Sequence, residues 1–375
     1  MTFSIDLDNP ETIRSIDKAY QLEDEYNWAE FIDDALKRAE KAKISSHKLD
    51  FSKEIVNIVI CGMGGSAISG DFLIEWGRKR VSIPIFVNRR YDIPQFVGKN
   101  TLVICNSYSG NTEETLSCFV EALKKGSLII AITSGGKLKD FSERFDIPYI
   151  LIKGGLQPRA SLPYLFVPLL VILKKLSIIN NFEEELMDLK TTLIALREKL
   201  KPSSPTTENI AKKIALKIGT DSIPIILGSA SCVVKRIRCE INENSKLIAI
   251  DDEFSELNHN HAVSYEGSLE ILKNFTVLLL HNQTDIEPIK TRMDITRNEM
   301  LEGKVKDIVT IEAQGNSDMA RLISSAYIGD FISIYLAILY KIDPSPVESI
   351  DMLKKQLRNK IGLVDKLEKQ FVNFT

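Results

Sequence analysis

The residues of this chain best suited to chemistry gather in four short stretches. The first is Cys61-Gly62-Met63-Gly64-Gly65-Ser66-Ala67. An apolar strand that breaks into glycines at the mouth of a helix leaves backbone N–H groups pointing outward, with the positive end of the helix dipole behind them. That is a seat for an anion. Gly62, Gly64 and Ala67 also satisfy the dinucleotide pattern G-x-G-x-x-G/A, and Arg89 and Arg90 close the next apolar run, where NADP enzymes keep ligands for a 2′-phosphate. The second stretch, Asn106-Ser107-Tyr108-Ser109-Gly110-Asn111-Thr112-Glu113-Glu114-Thr115, narrows the choice. Ser107, Ser109 and Thr112 place hydroxyls at spacings of two and three just before a helix, where hydroxyl and N–H donors together wrap the oxygens of one phosphate. A dinucleotide fold has no use for such a second loop, so a phosphate monoester is favoured. The plainer alternative is a helix cap in which Thr112 and Thr115 do ordinary work.

The third stretch, Glu240-Ile241-Asn242-Glu243-Asn244-Ser245-Lys246, ends a predicted helix and enters a strand. The fourth, Glu256-Leu257-Asn258-His259-Asn260-His261, lies past the far end of that strand. Glu243 and His259 could approach one substrate from either side of the strand, one as base and the other as acid. Read plainly, Glu243 is a helix-surface charge and His259 a loop residue. His261 and Glu253 read as bystanders, and Lys354 and Lys355 sit on a helix where most lysines are merely solvated.

These stretches need a scaffold. Among charges, Tyr26, Ala29, Phe31, Ile32, Ala35 and Leu36 recur at near-helical spacing, predicting an amphipathic helix over 22–43. Apolar runs at 55–61, 83–87, 101–105, 128–133 and 149–152 alternate with helical patterns at 67–79, 113–125 and 137–144, which implies a parallel sheet covered on both faces. Residues 159–200 read as mostly helical. The segment Lys201-Pro-Ser-Ser-Pro-Thr-Thr207 reads as a linker, with a helix starting at Thr206 or Thr207. The rhythm then restarts with runs at 223–227, 246–250, 276–280 and 308–311, and helices follow at 316–342, 346–357 and 360–372. The Asp343-Pro344-Ser345-Pro346 break makes a good start for the second of these. Both halves open with a strand that breaks into small residues. The fold class is therefore α/β, with two similar domains sharing one site: an N-terminal helical segment (1–40), a first domain (41–200), a second (205–345) and C-terminal helices (346–375).

Composition bounds the partners. In 375 residues, 48 Lys+Arg oppose 51 Asp+Glu, for a net charge of −3, so no global basic field exists for nucleic acid or an anionic membrane. Five cysteines without a C-x-x-C spacing fit a reducing cytosol, and four histidines give a metal site few ligands. The acidic start, Met-Thr-Phe-Ser-Ile-Asp-Leu-Asp, lacks the features of a signal peptide. The longest apolar candidate, 322–342, carries Asp330 and three serines and is expected to fall short of a membrane span. Cytoplasmic location is the expectation.

The Gly-Met-Gly-Gly-Ser and Ser-Tyr-Ser-Gly-Asn-Thr-Glu-Glu loops resemble the phosphosugar-binding loops of sugar isomerase (SIS) domains. With Gln157-Pro158-Arg159-Ala160-Ser161, Glu243-Asn-Ser-Lys246, Leu257-Asn-His-Asn260 and Asp343-Pro-Ser-Pro-Val347, the chain from about 22 to about 357 resembles the bifunctional phosphoglucose/phosphomannose isomerases of archaea. That resemblance implies two SIS-type domains and an aldose–ketose isomerase that interconverts glucose 6-phosphate and mannose 6-phosphate with fructose 6-phosphate. It implies that Gly64, Gly65, Ser66, Ser107, Ser109 and Thr112 hold the 6-phosphate. By the same resemblance Glu243 is the base between C1 and C2, Arg159 the cation beside the enediolate, and His259 and Lys354 the ring-opening pair. His259 would be supplied by the neighbouring subunit, which implies a homodimer. Ser345 is one candidate for the small hydroxyl residue that makes room for the mannose epimer. No metal or redox cofactor is implied. A non-catalytic sugar-phosphate sensor and a dinucleotide-dependent reductase are the competing readings.

Overall fold

A computed structural model describes residues 5–47, 49–52 and 54–370. The first four and the last five residues, and with them part of the acidic start and the end of the helix expected over 360–372, lie outside the described residues. In chain order come α1 (Pro10–Ile16), α2 (Gln21–Tyr26), α3 (Trp28–Lys41), β1 (Asn57–Cys61), α4 (Gly65–Gly77), β2 (Ile85–Asn88), β3 (Thr101–Asn106), α5 (Glu113–Lys125), β4 (Leu128–Thr133), α6 (Gly136–Phe145), β5 (Tyr149–Leu151) and α7 (Leu162–Lys175). Then follow α8 (Glu183–Leu200), α9 (Ile210–Ile218), β6 (Ile223–Gly228), α10 (Ser231–Glu240), β7 (Ile250–Glu253), α11 (Leu269–Leu272), β8 (Phe275–His281), α12 (Glu287–Ile295), β9 (Asp307–Glu312), α13 (Asp318–Leu339), α14 (Glu348–Lys360) and α15 (Leu363–Gln370).

The chain forms two compact units. One comprises residues 30–182 and 347–375. Its sheet is parallel throughout, in the order β2-β1-β3-β4-β5. Strands β3 and β4 are buried along their whole length, which explains why they read as continuous apolar runs rather than as alternating ones. One face packs Val59, Val103 and Ile129 against Leu116, Phe119, Leu138 and Phe141 of α5 and α6. The end of the chain joins this core through Leu367 of α15, and Lys137 Nζ lies 2.6 Å from Glu368 Oε1.

The other unit comprises residues 1–29 and 183–346. Its four strands are also parallel, in the order β7-β6-β8-β9. Helix α13 runs through its centre and is buried over nearly its whole length. It passes the length and hydropathy tests for a membrane span, contrary to the expectation that Asp330 and the serines would disqualify it. However, 94% of its apolar window is covered by the protein's own side chains. Its apolarity serves the core.

Several expected boundaries shift for local reasons. The division between the units falls at 182/183 rather than near 200, because Leu186, Leu189, Leu193, Leu196 and Leu200 of α8 are buried with α13. The helix expected over 22–43 is two helices, broken at Asn27, whose side chain turns back to donate to the Glu23 carbonyl at 2.8 Å. α9 starts at Ile210 because Asn209, not a threonine, caps it by accepting from Lys212 N. Thr206 is engaged elsewhere, donating through both N and Oγ1 to Asp8 Oδ1 at 2.7 Å. The strand expected at 246–250 is β7, at Ile250–Glu253. Lys246 is left-handed (φ 58°), and Ile248 is 75% exposed, so neither lies in the sheet. Helix α14 starts at Glu348, two residues past Pro346.

Candidate active site

In the first of these units the chain order places β2 and β3 on opposite sides of β1, so the sequence of strands reverses there. Ligands of open α/β sheets bind at the carboxyl ends of the strands at such a point. Both loops singled out from sequence lie at those ends, since Cys61 of β1 is in register with Cys105 of β3. They touch: Tyr108 N donates to Ser66 Oγ at 3.1 Å. Beneath them the buried Asn106 donates through Nδ2 to Ser69 Oγ (2.9 Å) and the Ser66 carbonyl (3.2 Å). Gly62 is required by this approach, because a Cβ there would stand 2.8 Å from the Asn106 carbonyl oxygen.

The Thr112 hydroxyl of this loop is not spent on capping α5. Thr112 is the N-cap of α5, yet its side chain makes no capping bond to the helix. Instead Ser107 Oγ donates to Thr112 Oγ1 at 3.0 Å, and the Thr112 hydroxyl still has its own proton to give. Ser109 accepts from Asn111 N at 3.2 Å. The first-turn N–H groups of α4 and α5 add their partial positive charge at the two mouths. Within α5 itself the Glu113 carboxyl is held above its ordinary range, by burial first and by Glu114 second.

Arg159 belongs to the same assembly. It lies in a 3-10 turn, Pro158–Ser161, that packs on the start of α4. A Cβ on Gly65 would meet the Pro158 carbonyl oxygen at 2.9 Å, so the glycine is what lets the turn approach. Arg159 is 3% exposed. The structure therefore brings Gly64, Gly65, Ser66, Ser107, Ser109, Thr112 and Arg159 into one neighbourhood. Lys354 and Lys355 are exposed residues of α14, in the same unit. Arg89, considered above for a dinucleotide 2′-phosphate, is paired instead with Asp71 of α4.

In the other unit Glu243 sits on a π-turn, Ile241–Ser245, that continues α10. Such widened turns occur frequently at functional sites. Asn244 and Ser245 point into the core while Glu243 is only half-buried. The turn is closed by Lys246, whose ammonium donates to the carbonyls of Glu243 (2.5 Å) and Pro344 (3.1 Å). His259 is exposed on a 3-10 turn, Glu256–His259, past the other end of β7. That strand alone spans roughly 10 Å, so Glu243 and His259 of one chain stand at opposite ends of it. The His259 turn is rigidly seated. Leu257 is fully buried, and Asn258 donates to Thr296 Oγ1 (3.0 Å) and accepts from Arg292 (3.3 Å). Ser345 is buried, with its hydroxyl 3.4 Å from Gln21 Oε1.

Two groupings were not foreseen from sequence. His261, set aside above, bridges Asp252 Oδ2 (3.0 Å) and Tyr265 OH (3.3 Å) and so ties β7 to the turn after it. Below the Glu243 turn lies a buried charged cluster. Arg236 is paired with Asp330 and Glu240, with the Trp28 ring over its guanidinium (5.3 Å to the centroid) and Glu25 fully buried beside it. Burial pushes the Asp330 carboxyl up to about 6 against the pull of Arg236. Burial, reinforced by Asp330, raises Glu25 well above the usual carboxylate range. A signal did exist: Arg236 and Glu240 are four apart, and Asp330 is an acid in the middle of a largely apolar helix. Among the described residues no three His, Cys, Asp or Glu side chains group as a metal site requires.

Comparison with known proteins bears on the whole chain. A family model described as the bacterial phospho-glucose isomerase C-terminal SIS domain matches residues 207–357. A protein of Caldicellulosiruptor bescii named bifunctional phosphoglucose/phosphomannose isomerase is 42% identical over 339 residues, covering 90% of this chain and 98% of that relative. A protein of the same name from Aquifex aeolicus is 34% identical, covering 82% and 93%. Among solved structures, a hypothetical protein from Thermus thermophilus superposes with a TM-score of 0.73 over 94% of both chains at 14% identity, a likeness of fold.

Proposed function

Because the chain belongs to the family of bifunctional phosphoglucose/phosphomannose isomerases, we propose that it interconverts glucose 6-phosphate and mannose 6-phosphate with fructose 6-phosphate through a cis-enediolate. The observation that carries this reading is the pair of touching loops at the ends of β1 and β3, where hydroxyls and two helix N-termini gather; that arrangement supports a seat for a single phosphate. Gly64, Gly65, Ser66, Ser107, Ser109 and Thr112 bind the 6-phosphate, and that remote binding energy orients the reacting carbons. Glu243 moves the proton between C1 and C2. The buried guanidinium of Arg159 offsets the charge that develops on the enediolate oxygens. A planar enediolate has lost its C2 configuration, so with rotation about C2–C3 one base serves both epimers, and Ser345 is the candidate for admitting the mannose form.

The substrate arrives as a closed ring, and His259 with Lys354 opens it. The separation of Glu243 from His259 along β7 supports the reading that His259 serves the neighbouring subunit of a homodimer. The chemistry is internal proton transfer and calls for no cofactor. Five cysteines, four of them buried, suit a reducing cytoplasm, where glycolysis and gluconeogenesis handle these sugars.

The test is a cofactor-free assay of the purified protein on fructose 6-phosphate, with the glucose and mannose products separated. Glu243→Gln is expected to lower kcat by ~10²–10⁴-fold, the usual worth of a positioned base, while binding of the sugar phosphate survives. A variant that turns over at close to the wild-type rate removes Glu243 from the mechanism.

A further inference from the structure

The turn that carries Glu243 rests on a closed ring of buried polar groups that the proton transfer itself does not use. Glu240, the last residue of α10, directs its two carboxylate oxygens to different partners. Oε1 lies 3.3 Å from Arg236 Nη1, and Oε2 accepts from Asn244 Nδ2 at 3.1 Å. The same Asn244 amide donates to Ser333 Oγ at 2.8 Å, and Ser333 in turn donates to the Asp330 carbonyl at 2.6 Å. Asp330 completes the ring by accepting from Arg236 through Nη2 (2.7 Å) and Nε (3.2 Å). Arg236, Glu240, Asn244, Asp330 and Ser333 are each 2% exposed or less.

Well-packed apolar side chains would stabilise this helix contact at least as well, since buried ion pairs seldom repay their desolvation. What a ring of directional bonds adds is position. It fixes the π-turn to α13 through Asn244, the residue next to Glu243, and leaves Glu243 on the outer side of the turn.

Building on the reading of Glu243 as the base, we propose that Glu240 and Asn244 are positioning residues for it, holding the π-turn at the height and angle that proton transfer requires. The ring depends on Glu240 accepting on both sides. Glutamine at that position has one accepting and one donating end, so it must turn an NH2 toward either Arg236 or Asn244, both of which are donors. Asn244→Asp reverses the second requirement, because the new carboxylate accepts from the glutamine amide; it also accepts from the Ser333 hydroxyl, whose single proton then leaves the Asp330 carbonyl. The pair of substitutions also conserves the charge of the ring.

The experiment compares Glu240→Gln, the double variant Glu240→Gln with Asn244→Asp, and Ser333→Ala, each assayed for kcat, KM and thermal midpoint. Glu240→Gln is expected to lose about tenfold or more in kcat, as displacement of a catalytic group by a fraction of an ångström does, with KM unchanged. The double variant is expected to regain most of that loss. A purely structural role would lower the midpoint without separating kcat from KM and without rescue. Wild-type kcat in the single variant overturns the proposal, as does a double variant that folds but is no faster than the single one. Ser333→Ala removes one hydroxyl and keeps the test open if Glu240→Gln does not fold: a lower kcat at constant KM supports the proposal, and an unchanged kcat overturns it. Glu243→Gln separates the two readings. If that enzyme is active, the base assignment fails; if it is dead while Glu240→Gln is fully active, only the positioning role fails.

Discussion

Substituting Gly65 by alanine tests whether the start of α4 and the Arg159 turn form one unit of the proposed phosphate-binding neighbourhood. The new Cβ would stand 2.9 Å from the Pro158 carbonyl oxygen and 3.7 Å from the Arg159 Cα. Both are backbone atoms, so no rotamer change relieves the contact. The Pro158 carbonyl is also fixed by the Ser161 hydroxyl at 2.6 Å. Restoring an ordinary contact requires the turn and the helix start to separate by about half an ångström. Overpacking of this kind costs about 1–3 kcal/mol, and alanine's preference for helix returns at most ~1 kcal/mol. With that preference fully returned the net loss is ~0–2 kcal/mol, a fall in thermal midpoint of a few degrees for a domain of this size. The kinetic effect is expected to be the larger one. A displacement of ~1 Å costs about a hundredfold, so half of that predicts roughly tenfold in kcat/KM on fructose 6-phosphate. Scanning calorimetry and steady-state kinetics measure the two quantities on one preparation. If Gly65→Ala leaves both unchanged, the 3-10 turn yields freely and the tight approach has no functional meaning.

Two further outcomes follow from the same structure. Neither carboxylate oxygen of Glu25 has a hydrogen-bond partner among the described residues, and its pKa is raised by burial and by Asp330. Folding then holds a proton that the unfolded chain releases above its ordinary pKa of 4.5, so stability falls as pH rises from there, by up to ~1.4 kcal/mol per pH unit until the folded pKa is passed. Glu25→Gln mimics the protonated form. It should match the wild-type midpoint near pH 4 and exceed it at pH 8, and an equal pH slope in thermal melts of the two proteins counts against this account. The double variant Ser107→Ala, Thr112→Ala deletes the hydroxyl pair at the mouth of α5 and should raise KM for phosphorylated hexoses about tenfold or more, on the basis of ~1.5–3 kcal/mol for a hydrogen bond to a charged group. An unchanged KM in the isomerase assay would put the phosphate elsewhere.

What could be read from sequence was whatever a local run of residues decides. The apolar runs that became β1, β3, β4 and β8 are buried on both faces and needed no long-range information to be seen. The two loops are legible because glycines and hydroxyls next to a strand end have few other uses. The misread boundaries have equally local causes that only coordinates expose. Asn209 outcompeted two threonines as a cap because Thr206 was already held by Asp8. The left-handed Lys246 delayed β7 by bonding back to carbonyls of its own turn.

The chain by itself determined the α/β class and the two strand-to-helix mouths, because these follow from periodicity and from chemistry carried within a few neighbouring residues; Glu243 and His259 stood out by residue type, and Arg159 only by resemblance to the family. Only the tertiary structure decided that α8 belongs with α13, that β7 keeps Glu243 and His259 apart, and that Arg236, Glu240, Asn244, Asp330 and Ser333 close into one ring. Those residues lie up to 97 positions apart (236 to 333). Directional bonds between buried groups form only where packing excludes water and sets distances to within tenths of an ångström, and that is a property of the folded core rather than of any segment.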